Sequence, residues 1–125
     1  MVDPPPAAPR AIGDEETLTQ YGFLDPAGGV FPSHPRWGRE TDLSMLLGAF
    51  SVDEAAKYVR ISTGRPSEGD AVRLTTAGAL RQQGFSVRHS WRKRNPYHVS
   101  VEVQASQNWD DESLERAFPE ARPND

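Results

Sequence analysis

The chain has 125 residues, enough for one domain and short for two, and its apolar fraction of 36 % is low for a globular protein. It contains no cysteine, which excludes disulfides, thiolate chemistry and cysteine-based zinc sites, and points to a reducing, cytoplasmic setting. No apolar run approaches the roughly 18 residues of a membrane span, and the first residues carry neither the basic start nor the apolar stretch of a signal peptide.

The net charge of −4 hides a segregation. Residues 57–98 carry nine Lys/Arg against two acids, giving +7, while 1–56 carry −6 and 99–125 carry −5. A basic middle between acidic ends creates a local field that suits a macromolecular partner. Arginine outnumbers lysine twelve to two, a bias that fits a GC-rich bacterial or phage genome.

Residues 1–13 include Pro4, Pro5, Pro6 and Pro9 and read as an extended, disordered tail. Pro-rich tails also bind aromatic grooves. Asp14 to Gln20 reads as a short helix, because acids at 14–16 favour a helix start. Tyr21–Leu24 and Val30–Phe31, separated by Asp-Pro and Gly-Gly, read as a hairpin. Leu43, Leu46, Leu47 and Phe50 follow helical spacing, so a helix is expected from about 42 to 50. Ser51-Val-Asp-Glu54 is a capping box, and a second helix should run through Tyr58. Val59–Ser62 reads as a turn into a strand, 63–70 as a loop, and Val72–Leu74 as a strand.

Thr75 or Thr76 caps a helix that Gly84 ends. Gly84 at the left-handed position places Leu80 and Phe85 as the pair that packs across a Schellman motif. Phe85–Trp91 and Tyr97–Val103 alternate. With Trp91 opposite Tyr97 the loop has five residues, and one face gathers Phe85, Val87, His89, Trp91, Tyr97, Val99, Val101 and Val103. The other face gathers Ser86, Arg88, Ser90, His98, Ser100 and Glu102. The expected fold is therefore α+β: one domain over 14–105, with this hairpin packed on short helices. Residues 106–125 form an acidic helix and tail, the helix presenting Trp109, Leu114 and Phe118.

The hairpin tip carries Arg92, Lys93 and Arg94, with Arg88 and Tyr97 nearby. It reads either as a solvated turn whose charges discourage edge pairing or as a surface that grips anions. His98 pairs with Ser90 and lies diagonal to Arg88, so these two are the weak candidates for acid–base work on a phosphodiester. His89 falls on the apolar face as a hydrogen-bonded core histidine. His34, His89 and His98 show no metal-ligand spacing, no phosphate loop or hydrolase motif is present, and no cofactor is expected. The leading expectation is a non-enzymatic interaction protein that binds another protein through the basic hairpin and the acidic C-terminal helix. The alternative is a nucleic-acid binder or small ribonuclease that uses residues 88–98.

Overall fold

A computed structural model describes residues 4–23, 42–60, 62–66, 70–103 and 121–123. Six strands, β1 (Thr17–Phe23), β2 (Asp42–Leu47), β3 (Asp70–Thr76), β4 (Phe85–His89), β5 (His98–Val103) and β6 (Ala121–Pro123), form one sheet in the order β4-β5-β2-β1-β3-β6. All neighbours are antiparallel. Two short helices, α1 (Val52–Val59) and α2 (Ala77–Gln82), complete a small α+β domain. Among the described residues no helix is long and apolar enough to cross a membrane.

The first two elements differ from expectation. Residues 17–23 form a strand rather than a helix. Thr-Leu-Thr-Gln-Tyr alternates with period two, and Leu18 is fully buried. The preceding acids do meet a helix start, but that of α2. The Asp14 carbonyl accepts from the Gly78 amide at 2.8 Å and the Glu16 carbonyl from Ala77 at 3.0 Å. They thereby satisfy amides that a first helical turn leaves without partners. The Asp14 carboxylate also holds Arg81 at 2.6 Å.

Residues 42–47 are likewise a strand, not a helix. In β2 the side chains of Met45, Leu46 and Leu47 are all buried, so both faces of the strand are covered. A strand covered on both faces reads as a continuous apolar run, which helical spacing also fits. The hairpin expected over 21–31 lies, beyond β1, outside the described residues.

From Ser51 onward local signals hold. Ser51 Oγ accepts from the Glu54 amide and the Glu54 carboxylate accepts from the Ser51 amide, both at 3.2 Å, so the capping box is complete. Of the strand expected at 59–62, the described residues form none. Val59 stays helical, and the Arg60 carbonyl takes amides from Thr63 and Gly64 at 3.2 and 2.6 Å in a turn.

Thr76 caps α2 by accepting from the Ala79 amide. Gly84, at φ +92°, ends it, and Leu80 and Phe85 flank it in the core. Gly84→Ala should therefore cost about 1–2 kcal/mol through the left-handed backbone alone. That corresponds to a fall in Tm of several degrees in a thermal melt, roughly 4–8 °C per kcal/mol for a domain of this size.

Two further corrections concern the ends of the chain. Residues 4–13 are not an unpacked tail. Ile12 is 6 % exposed and belongs to the core with Leu18, Leu80 and Phe85. The domain therefore begins before residue 14. Within the acidic C-terminal stretch, Ala121–Pro123 adds β6 to the edge of β3. An edge strand tolerates proline because its outer amides need no partner. The helix expected at 108–118, with Trp109, Leu114 and Phe118, lies outside the described residues.

Candidate partner-binding surface at the hairpin

The β4–β5 register pairs Phe85 with Val103, Val87 with Val101, Arg88 with Ser100 and His89 with Val99, as the alternation requires. Beyond the ladder, Arg92 and Asn95 exchange backbone hydrogen bonds of 3.2 and 3.0 Å and close a two-residue turn at Lys93-Arg94. Between turn and ladder the second arm carries one residue more than the first. The five-residue loop expected between Trp91 and Tyr97 thus closes as a two-residue turn with a bulge on its second arm, while Tyr97 stays in alternation with the buried Val99 and Val101.

The tip is braced from below. The His98 amide donates to the Asn95 carbonyl at 3.1 Å. His89 is buried as expected. The Arg10 amide donates to its Nδ1 at 3.1 Å, so the ring proton sits on Nε2 and donates to the Pro96 carbonyl at 2.7 Å. Tyr97 is 4 % exposed and packs edge-on against Phe50 and Tyr58, with centroids 5.0 and 5.1 Å apart. Its ring is thus a packing residue rather than part of an exposed surface. Trp91 is half-buried, and its indole N–H donates to the Pro6 carbonyl at 2.8 Å.

On the other face the predicted contact between Ser90 and His98 is present, at 2.5 Å to Nδ1. Ser90 also meets Ser100 at 2.8 Å, and His98 Nε2 meets Ser44 of β2 at 3.1 Å. His98 is 6 % exposed, so it is a buried histidine and not the surface histidine its polar face implied. Both of its nitrogens are held by hydroxyls. Glu102, on the same face, binds Arg88 at 3.0 Å and not His98. His34, the third histidine, lies outside the described residues. Ser44 could not be foreseen, because 42–50 carries helical spacing.

Four arginines are set against carboxylates, and Arg73 is buried beside Gln20. Arg10, Arg60, Arg81 and Arg88 each face a carboxylate: Glu16 at 2.5 Å, Asp70 at 3.5 Å, Asp14 at 2.6 Å and Glu102 at 3.0 Å. Arg10 grips Glu16 with both guanidinium nitrogens, and this contact holds the Glu16 carboxyl below its ordinary range. Burial opposes that shift and the Gly13 amide, 2.6 Å away, reinforces it. Asp70 also accepts from the Tyr21 hydroxyl, and burial followed by this bond raises the phenol above its ordinary value.

Arg92, Lys93 and Arg94 are exposed and have no ion pair among the described residues. Lys57 and Arg65 also lack one there but stand singly, on α1 and in the turn after it. The tip is therefore where unneutralised positive charge is gathered. Among the described residues no group of His, Asp and Glu is arranged to hold a metal ion. No family model matches the chain, and neither a curated protein nor a solved structure matches it.

Proposed function

We propose that the protein is a non-enzymatic, cytoplasmic interaction protein that presents the Arg92-Lys93-Arg94 tip to an acidic surface on another protein. The observation that carries this reading is the contrast in pairing. Among the described residues four arginines are set against carboxylates, while three adjacent cations on a braced turn have no ion pair. Free charges of one sign at a protruding point raise encounter rates with an oppositely charged surface and fix its orientation. The acidic segment with Trp109, Leu114 and Phe118 is the second anchor of the proposal, as an aromatic-bearing helix in a groove.

Nucleic acid is the less favoured partner. Binding a single strand uses exposed rings for stacking and a basic track for phosphates. Here Tyr97 is buried, Trp91 is engaged with Pro6, and Arg88 is neutralised by Glu102. The buried, doubly bonded His98 offers little access for a scissile phosphate.

The test is affinity capture on the full chain and on R92S/K93S/R94S, each with and without nuclease. A stoichiometric protein that survives nuclease and is lost from the triple variant is the expected result. Exposed contacts of about 0.2–1 kcal/mol each put the weakening at up to roughly 100-fold for the three together. Binding should also fall between low and high salt. Identical capture by the triple variant removes the tip from the reading, and complete loss on nuclease treatment replaces it with nucleic acid.

A further inference from the structure

The segment before Ile12 holds Pro4, Pro5, Pro6 and Pro9, so it is rich in carbonyl acceptors and poor in amide donors. The side chain that matches such a segment donates without accepting, and among aromatic residues that is the tryptophan indole. Trp91 does this, donating to the Pro6 carbonyl at 2.8 Å. Four residues on, the first amide after Pro9 belongs to Arg10, and His89 Nδ1 accepts it at 3.1 Å. Two side chains at one end of β4 thus read one carbonyl and one amide of an extended segment. Both contacts are to backbone, so another segment of like composition satisfies them equally.

The segment does not fill its surroundings. Pro4, Pro5, Ala7, Ala8 and Pro9 are exposed. Two cavities border it, one of about 660 Å³ with Val87 and Trp91 in its wall and one of about 670 Å³ with Leu47 and Tyr97. Open space therefore borders the occupant on its way to Ile12.

We infer that the His89–Trp91 end of β4 is a docking site for a proline-rich segment of a partner protein, occupied in the free chain by residues 6–10. Proline-rich segments lose little chain entropy on binding, because their φ angles are already fixed. A tethered occupant competes at an effective concentration of about millimolar, so an incoming segment must exceed that or arrive with a second contact.

The experiment uses the full-length chain and a synthetic peptide with the sequence of residues 1–11. The readout is the indole ¹H–¹⁵N resonance of Trp91, assigned by its loss in Trp91→Phe. Arg10→Pro removes the amide that His89 accepts together with the guanidinium that grips Glu16, and keeps His89 and Trp91, and Ile12→Ala loosens the anchor behind it. In at least one of these variants the indole resonance should move from its wild-type position, and the peptide should return it saturably. The wild-type chain, with its own segment in place, should bind the peptide at least ~10-fold more weakly. Adding Trp91→Phe to the released variant should weaken binding at least ~10-fold, read by anisotropy of labelled peptide. A peptide that leaves the indole unmoved in both variants overturns the inference, as does equal binding of a peptide whose prolines are replaced by alanine.

Discussion

Replacing Phe50 with alanine is expected to destabilise the domain by about 3–5 kcal/mol, the usual cost of deleting a buried ring. Phe50 sits in the turn between β2 and α1 and is 3 % exposed. Its ring meets Tyr58 of α1 edge-on at 5.8 Å and 86°, and Tyr97 below the hairpin tip at 5.0 Å and 82°. Tyr58 and Tyr97 close the triangle at 5.1 Å. Edge-to-face pairs add about 0.5–1.5 kcal/mol beyond area burial, and a cavity here is shared by three elements, so no single one can collapse into it.

A fall in Tm of more than about 12 °C should accompany the change, taking at least 4 °C per kcal/mol for a domain of this size. Phe50→Leu keeps most of the volume and should cost less. The same triangle links stability to the binding surface, since Tyr97 follows the Pro96 carbonyl that His89 holds. Amide exchange at 90–97 should therefore rise in Phe50→Ala before the rest of the sheet opens. A loss under 1 kcal/mol would show that the rings merely touch.

The parts of the fold that could be read in the sequence are those fixed over short distances. The Ser51 capping box, the Thr76 cap and the Gly84 stop each rest on contacts within a few residues, and each forms where expected. The β4–β5 register is equally local, because alternation on both arms permits only one pairing that keeps the faces apart. β1 and β2 could not be read this way. Their state depends on partners distant in sequence: β1 pairs along its whole length with β3, some fifty residues on, and β2 with β5. The acids at 14–16 start no helix: it is the backbone carbonyls of Asp14 and Glu16 that meet α2, sixty residues away, while their carboxylates bind Arg81 and Arg10. At the candidate surface the tip charge and the core face of His89 and Tyr97 are legible, and the burial of His98 is not. Tyr97 and His98 are covered by residues from other elements, and the Pro6–Trp91 contact spans 85 positions that no pattern connects.

Thr19→Val should be nearly as damaging as deleting a ring, although it adds apolar surface and barely changes volume. Thr19 is fully buried on β1. Its hydroxyl donates to the Gly48 carbonyl at 2.7 Å and accepts from the Phe50 amide at 2.9 Å. Those two backbone groups lie in the turn that takes the chain from β2 into α1, and neither belongs to a ladder or a helix. Valine fits the space but strands a donor and an acceptor inside the protein, each at about 1–3 kcal/mol. The expected loss is about 2–4 kcal/mol in urea unfolding, with the m-value unchanged because the surface exposed is the same. Thr19→Ser keeps the hydroxyl and gives up one methyl group, so it should lose roughly 1 kcal/mol. The order of the two variants is the decisive measurement. Hydrophobicity alone ranks valine above serine at a buried position, whereas a turn held by one hydroxyl ranks serine above valine.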